Sequence, residues 1–159
     1  MPSGSVWLLF ALGAALAWGA YGPVLHQGQM AFGDRATAGY RAILWVGIAY
    51  FVLAIVIPTF ILGSQGKLGI DTWTVKGCVY SGIAGVLGAL GAFFITGALL
   101  NGGKPFYVMP LVFCCAPIIN VIVSAVLHPP EWSKINPLLY VGLAMAAGGA
   151  LLVLRFKPA

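Results

Sequence analysis

Residues 77–100 read GCVYSGIAGVLGALGAFFITGALL, without one charged side chain. A hydrocarbon core about 30 Å thick takes roughly 20 helical residues per crossing, so this run is long enough to pass through one. In lipid every backbone amide needs an internal partner, and an apolar run of this length meets that need as a helix. Four further stretches of the same kind accompany it, at approximately residues 5–25, 37–60, 105–127 and 136–154. The expected fold is therefore an all-α integral membrane protein: five transmembrane helices with short loops, residues 1–159 forming a single transmembrane domain. Of the 159 residues, 61% are hydrophobic and 7% charged, too few polar side chains to cover a water-soluble domain.

The polar remainder falls at 26–36, 63–76 and 128–135, which are connectors in size rather than domains. A formal net charge of +5 would suggest nucleic acid in a soluble protein. Here the basic residues stand singly beside the spans, where they anchor helix ends and set orientation, so no nucleic-acid partner is expected. With five crossings, one face carries Lys67, Lys76 and Lys134, and the other carries Arg35, Arg41, Lys104, Arg155 and Lys157. The positive-inside rule then favours a cytoplasmic C-terminus, the setting being a bacterial inner membrane. Ala15-Leu16-Ala17 could mimic a signal-peptidase site, but Met1–Ser5 has no Lys or Arg and the apolar run continues through Trp18. The first span is read as a permanent helix. Cys78, Cys114 and Cys115 are expected to act as small apolar fillers, and no Cys/His spacing suits a metal.

Small residues mark close helix contacts in lipid. In the third span Ser81, Gly82, Gly85, Gly88 and Gly91 recur at intervals of three or four, and in the fifth Gly142, Ala146 and Ala150 repeat the device, flanked by Ala144 and Gly148. These faces could pack within the chain or against a second copy. The fourth span carries two prolines, Pro110 and Pro117, each expected to bend the helix or free a carbonyl. Asn120, one turn after Pro117, either bridges helices or lines a solute path.

The first span closes on Trp18, Tyr21, Pro23, His26, Gln27 and Gln29. Tyr21 suits an interfacial aromatic belt, whereas Trp18 is deeper. Arg41, about one turn into the second span, either snorkels to the surface, pairs with Asp34, or meets an anionic solute. The three acids, Asp34, Asp71 and Glu131, all fall in loops, so no carboxylate stands ready to carry a proton or sodium ion mid-membrane. Paired carboxylates, a nucleophile with its base, and a Gly-rich phosphate loop are all missing from the sequence, so neither enzyme activity nor a cofactor is expected.

Taken together, the chain resembles the drug/metabolite transporter superfamily, in particular a half-size, EamA-like single five-helix repeat. The run LFALGAALAWG at 9–19 resembles the first helix of such a repeat, which often ends in Trp-Gly. Arg41 before the apolar run from Ala42 is similar to the Arg that opens the second helix. Val108-Met109-Pro110-Leu111 with Ala116-Pro117 resembles the fourth, and Glu131, Gly142 and Gly148 are similar to the acidic loop residue and Gly-rich final helix. Full-length relatives of this type contain two inverted five-helix halves, so the resemblance implies a homodimer or a paired homologous half. The small multidrug-resistance proteins of the superfamily are dimers with a helix-one Glu that binds proton and cationic drug. This sequence has Trp18 at that position, which points away from proton-coupled cation export.

What the resemblance implies is transport, by alternating access, of a small polar and uncharged metabolite of sugar or amino-acid type. Trp18, Tyr21, Arg41, Tyr107 and Asn120 are the candidate substrate-binding residues, with Tyr50 and Thr96 as further lining. The competing expectation is a non-transporting structural or accessory subunit of a larger membrane complex.

Overall fold

The computed structural model describes residues 6–157; Ser5, where the first span was expected to begin, lies outside them. Five helices follow in order: α1 Val6–Ala31, α2 Ala38–Ser64, α3 Val75–Leu100, α4 Pro105–Leu127 and α5 Leu138–Phe156. Each is long and apolar enough to cross a membrane. Two 3-10 turns, Ile70–Thr72 and Trp132–Lys134, lie in the connections, and no strand occurs among the described residues.

The helix limits follow from identifiable local chemistry. α1 continues to Ala31, past the expected end at residue 25, so His26, Gln27 and Gln29 are helical rather than part of a connector. Pro23 sits inside α1 and removes one amide donor, yet its fixed φ is helical and the helix passes through it. The stop comes at Gly33, whose φ of 73° leaves the helical region while its N–H donates to Met30 O at 3.1 Å.

α2 contains a π-helical turn at Val52–Val56, where the Ile57 N–H donates to Val52 O. Pro58 follows at once, and its ring cannot sit against an ordinary turn or donate into it. The widened turn absorbs that conflict, and the helix runs on to Ser64 rather than ending near residue 60. Gly66 closes it with φ 65°, letting the Lys67 N–H reach back to Leu62 O at 2.9 Å. α3 starts two residues before the expected 77, because Thr74 caps it: Thr74 Oγ1 accepts the Gly77 N–H at 3.2 Å. α4 has the expected limits. α5 is shifted two residues from 136–154, its start set by Asn136 Oδ1, which accepts the Leu138 N–H at 3.0 Å.

The chain divides into two compact units. One joins α1 as far as Pro23 to everything from Gly103 on. Within it α4 packs on α5, and Val108, Met109 and Ala150 are buried. Gly22 faces Met109, where a Cβ would overlap the thioether, and a Cβ on Gly149 would lie 3.9 Å from Cys114 Sγ. The other unit is Val24–Gly102, in which α2 packs on α3. Its buried residues are Leu25 and Gln29 of α1, Ala38, Gly39 and Ala42 of α2, and Ala92, Ile95, Thr96 and Leu99 of α3. The small side chains at the start of α2 admit α3 closely: a Cβ on Gly39 would overlap Leu100 Cδ1 and lie 3.3 Å from Thr96 Cγ2.

In both units the buried residues therefore lie late in α1, α3 and α5 and early in α2 and α4. Residues 6–17, 47–61 and 75–90 are exposed throughout. The expected packing glycines follow the same division. A Cβ on Gly82, Gly85, Gly88, Gly142 or Gly148 meets no neighbour within 4 Å in its own unit, so none of them makes a close contact there.

Candidate functional site

Polar and aromatic residues in the later part of α1 form two groups, one in each unit. The first is built on helical spacing. Trp18 and Tyr21, three residues apart, share a face of α1, with ring centroids 5.5 Å apart and planes tilted by 51°. Both are half-buried, and the Tyr21 hydroxyl is buried. The next residue, Gly22, lies against Met109 of α4.

Two other candidates belong to the same unit. Tyr107, in the first turn of α4, is half-buried, and Lys157 Nζ stands 5.4 Å from its ring centroid. A cation so placed over a ring contributes about 0.5–1 kcal/mol at an exposed site. The contact ties the chain just after α5 to the start of α4. Asn120 is exposed, and its Oδ1 accepts the Ser124 hydroxyl at 3.0 Å, a bond within one helix. Pro110 and Pro117 lie inside an uninterrupted α4, each leaving the carbonyl four residues earlier, Phe106 or Phe113, without its amide donor.

Arg41 belongs to the other unit and is exposed in the first turn of α2. Nearby Asp34 is held by the loop itself: Thr37 Oγ1 donates to Oδ2 at 2.6 Å and the Ala36 N–H to Oδ1 at 3.0 Å. The Thr37 hydroxyl, then the Ala36 amide, with help from the Arg41 charge, hold the Asp34 carboxyl below its ordinary range.

The second group is the polar centre of the unit Val24–Gly102. Gln29 is 4% exposed and Thr96 equally so, and Gln29 Nε2 donates to the Thr96 carbonyl at 3.2 Å. The Thr96 hydroxyl donates to Ala92 O at 2.8 Å, and its methyl faces Gly39. Gln29 Oε1 and His26 Nδ1 are buried without a hydrogen-bond partner. A buried polar atom left unpaired costs about 1–3 kcal/mol, so this pair is a place where a donor or a ligand would be stabilising. Sequence reasoning placed His26 and Gln29 in a connector and Thr96 only among lining residues. The signal that could have joined them is the row His26, Gln29 at helical spacing, had α1 been carried six residues further.

Among the described residues no group of three His, Cys, Asp or Glu side chains is close enough to hold a metal ion. The architecture is thus five helices apolar enough to cross a membrane, with an aromatic pair in one unit and a buried amide–hydroxyl centre in the other. No family model, curated protein or solved structure matches the chain.

Proposed function

We propose that the chain is an integral membrane protein of five crossings that acts as half of a drug/metabolite-type transporter. Two copies, or one copy with a homologous half, enclose the path, and the solute is a small, polar, uncharged metabolite of sugar or amino-acid type. The observation that carries the reading is the continuous exposure of residues 6–17, 47–61 and 75–90, stretches with almost no polar side chains. In water such surfaces would aggregate; in a bilayer they are covered by lipid or by the second half. Inverted five-helix halves put a solute site near mid-membrane between them, and movement is the rocking of one half against the other.

The solute class follows from the α1 aromatics. Trp18 and Tyr21 offer ring faces, and α1 holds no acid or base other than His26. Such a surface stacks on a sugar ring or an apolar side chain and binds it without a counter-charge. Tyr107 and Asn120, which belong to the same unit, complete the proposed binding set. The bilayer is a bacterial inner membrane with the C-terminus in the cytoplasm, on the side of Arg35, Arg41, Lys104, Arg155 and Lys157.

The test is counterflow into proteoliposomes loaded with a panel of unlabelled sugars and amino acids, each followed with its labelled form. Accumulation of one solute, reduced at least tenfold by Trp18→Ala with expression unchanged, supports the site. Accumulation unaffected by both Trp18→Ala and Asn120→Ala rules it out. A second reading, an accessory subunit of a larger complex, is favoured by the glycine row of α3, whose Gly82, Gly85 and Gly88 meet nothing in their own unit. That reading expects no solute to accumulate and larger, unrelated chains to co-purify in fixed ratio.

A further inference from the structure

Gln29 Oε1 and His26 Nδ1 have no partner in the structure, although both atoms are buried. The orientation of the Gln29 amide is settled by its other end: Nε2 donates to a backbone carbonyl, which can only accept. The oxygen therefore points to a place where the protein supplies no donor. The nearby Thr96 hydroxyl is committed to Ala92 O. His26 precedes Gln29 by three residues, on the same face of α1, and its half-buried ring reaches from the surface to the buried Nδ1.

The chemistry of the two atoms selects what can fill the place. Gln29 Oε1 only accepts, so the ligand must donate there. His26 Nδ1 accepts in one neutral tautomer and donates in the other. A hydroxyl does both, and two adjacent hydroxyls serve the pair whichever tautomer is present. An ammonium group can only donate, and α1 offers it no carboxylate. A carboxylate or phosphate can only accept and would face the amide oxygen.

We propose that His26 and Gln29, three residues apart on one face of α1, form a binding site for a hydroxyl-bearing small molecule, a vicinal diol above all. The site stands on this polar pair and is independent of whether the chain transports anything. Water is the other source of a hydroxyl, and the experiment separates the two.

The full chain, labelled with [15N]histidine and held in lipid nanodiscs, gives signals from its two histidines. His128 is exposed, so His128→Gln assigns the His26 resonances without disturbing the fold. Titration with ethylene glycol is compared with 1,2-dimethoxyethane, which keeps the oxygens and lacks the hydroxyl protons. A saturable shift of the His26 Nδ1 signal is expected with the diol and none with the ether. In Gln29→Leu the half-saturating concentration should rise about tenfold, as loss of one buried hydrogen bond requires. Gln29→Met is the second variant if the leucine chain does not fold. An Nδ1 already hydrogen-bonded and unmoved by the diol means bound water only and overturns the proposal. Equal shifts with both probes, or a titration unchanged in either variant, overturn it as well.

Discussion

Gln29 and Thr96, 67 positions apart in the chain, are joined by a hydrogen bond of 3.2 Å from the Gln29 amide to the Thr96 carbonyl. Gly39 lies against the same residue through the Thr96 methyl, so three helices meet at one buried point. An interhelical side-chain bond in lipid contributes on average about 0.6 kcal/mol, small beside the packing around it. The polar contact sets which faces meet, while the small residues Ala38, Gly39 and Ala42 let them approach.

Replacing Gln29 by leucine removes that bond and also removes an unpaired buried oxygen. The two effects oppose, so Gln29→Leu should change unfolding free energy by less than about 1 kcal/mol. Gln29→Ala leaves a hole as well and should cost about 2 kcal/mol more than the leucine variant. Thermal unfolding of the purified variants in one detergent measures both. Equal losses would mean that the hydrogen bond outweighs packing at this point.

Glycines of α2 and α3 should respond differently to one added methyl. Gly39→Ala pushes on Leu100 and Thr96 and should cost about 1–3 kcal/mol. Gly82→Ala meets nothing in its own unit and replaces a poor helix former, so stability should hold or rise by up to about 1 kcal/mol. The comparison is made by unfolding in detergent. A bulkier change, Gly85→Leu, should leave the monomer folded; weakened association on gel filtration would then assign this face to the second copy.

Asp34 makes a pH dependence whose sign is fixed. Its carboxyl is held below its ordinary range by Thr37 first, then by Ala36, with the charge of Arg41 assisting. A depressed folded value means stability present above the ordinary carboxylate range and lost as pH falls through the folded value. Asp34→Asn should therefore flatten the acid side of the stability profile and leave the profile near neutrality parallel to the parent. Unfolding midpoints collected from neutral to acid pH check this. An unchanged acid limb would mean that the loop at 34–37 does not contribute to folding.

The proposed orientation rests on charge: five crossings would put Arg35, Arg41, Lys104, Arg155 and Lys157 on one face and Lys67, Lys76 and Lys134 on the other. A fluorescent reporter at the C-terminus should be active in the cytoplasm and a periplasmic phosphatase fused there inactive. Changing Arg155 and Lys157 to glutamine removes the excess, leaving three against three, and should produce mixed orientation.

The sequence was most readable where apolar length alone decides. Residues 105–127 matched α4 at both ends because Pro105 can open a helix and His128 follows the last apolar turn. It misled where polarity was equated with a loop: His26, Gln27 and Gln29 look like a connector, yet Pro23 does not stop α1 and, among the described residues, the first positive φ comes only at Gly33. The π turn before Pro58 was hidden for a similar reason, since a proline alone does not tell whether a helix ends or widens. The contact of Trp18 with Tyr21 follows from their spacing of three, although the reading by depth sets the two apart. The meeting of Gln29 with Thr96 was not legible, because a contact between distant helices leaves no trace in local pattern. Gly22 and Gly39 were likewise indistinguishable in sequence from Gly82, and only the neighbours separate them.

The central claim is that one chain of this kind is half of a path. Native mass spectrometry of the tagged protein, extracted from its own membrane in mild detergent, tests it most directly. The account predicts a homodimer, or a complex with one homologous five-helix chain, that survives release from the micelle. A fixed assembly with larger unrelated subunits would contradict the transporter reading and make the chain a structural component.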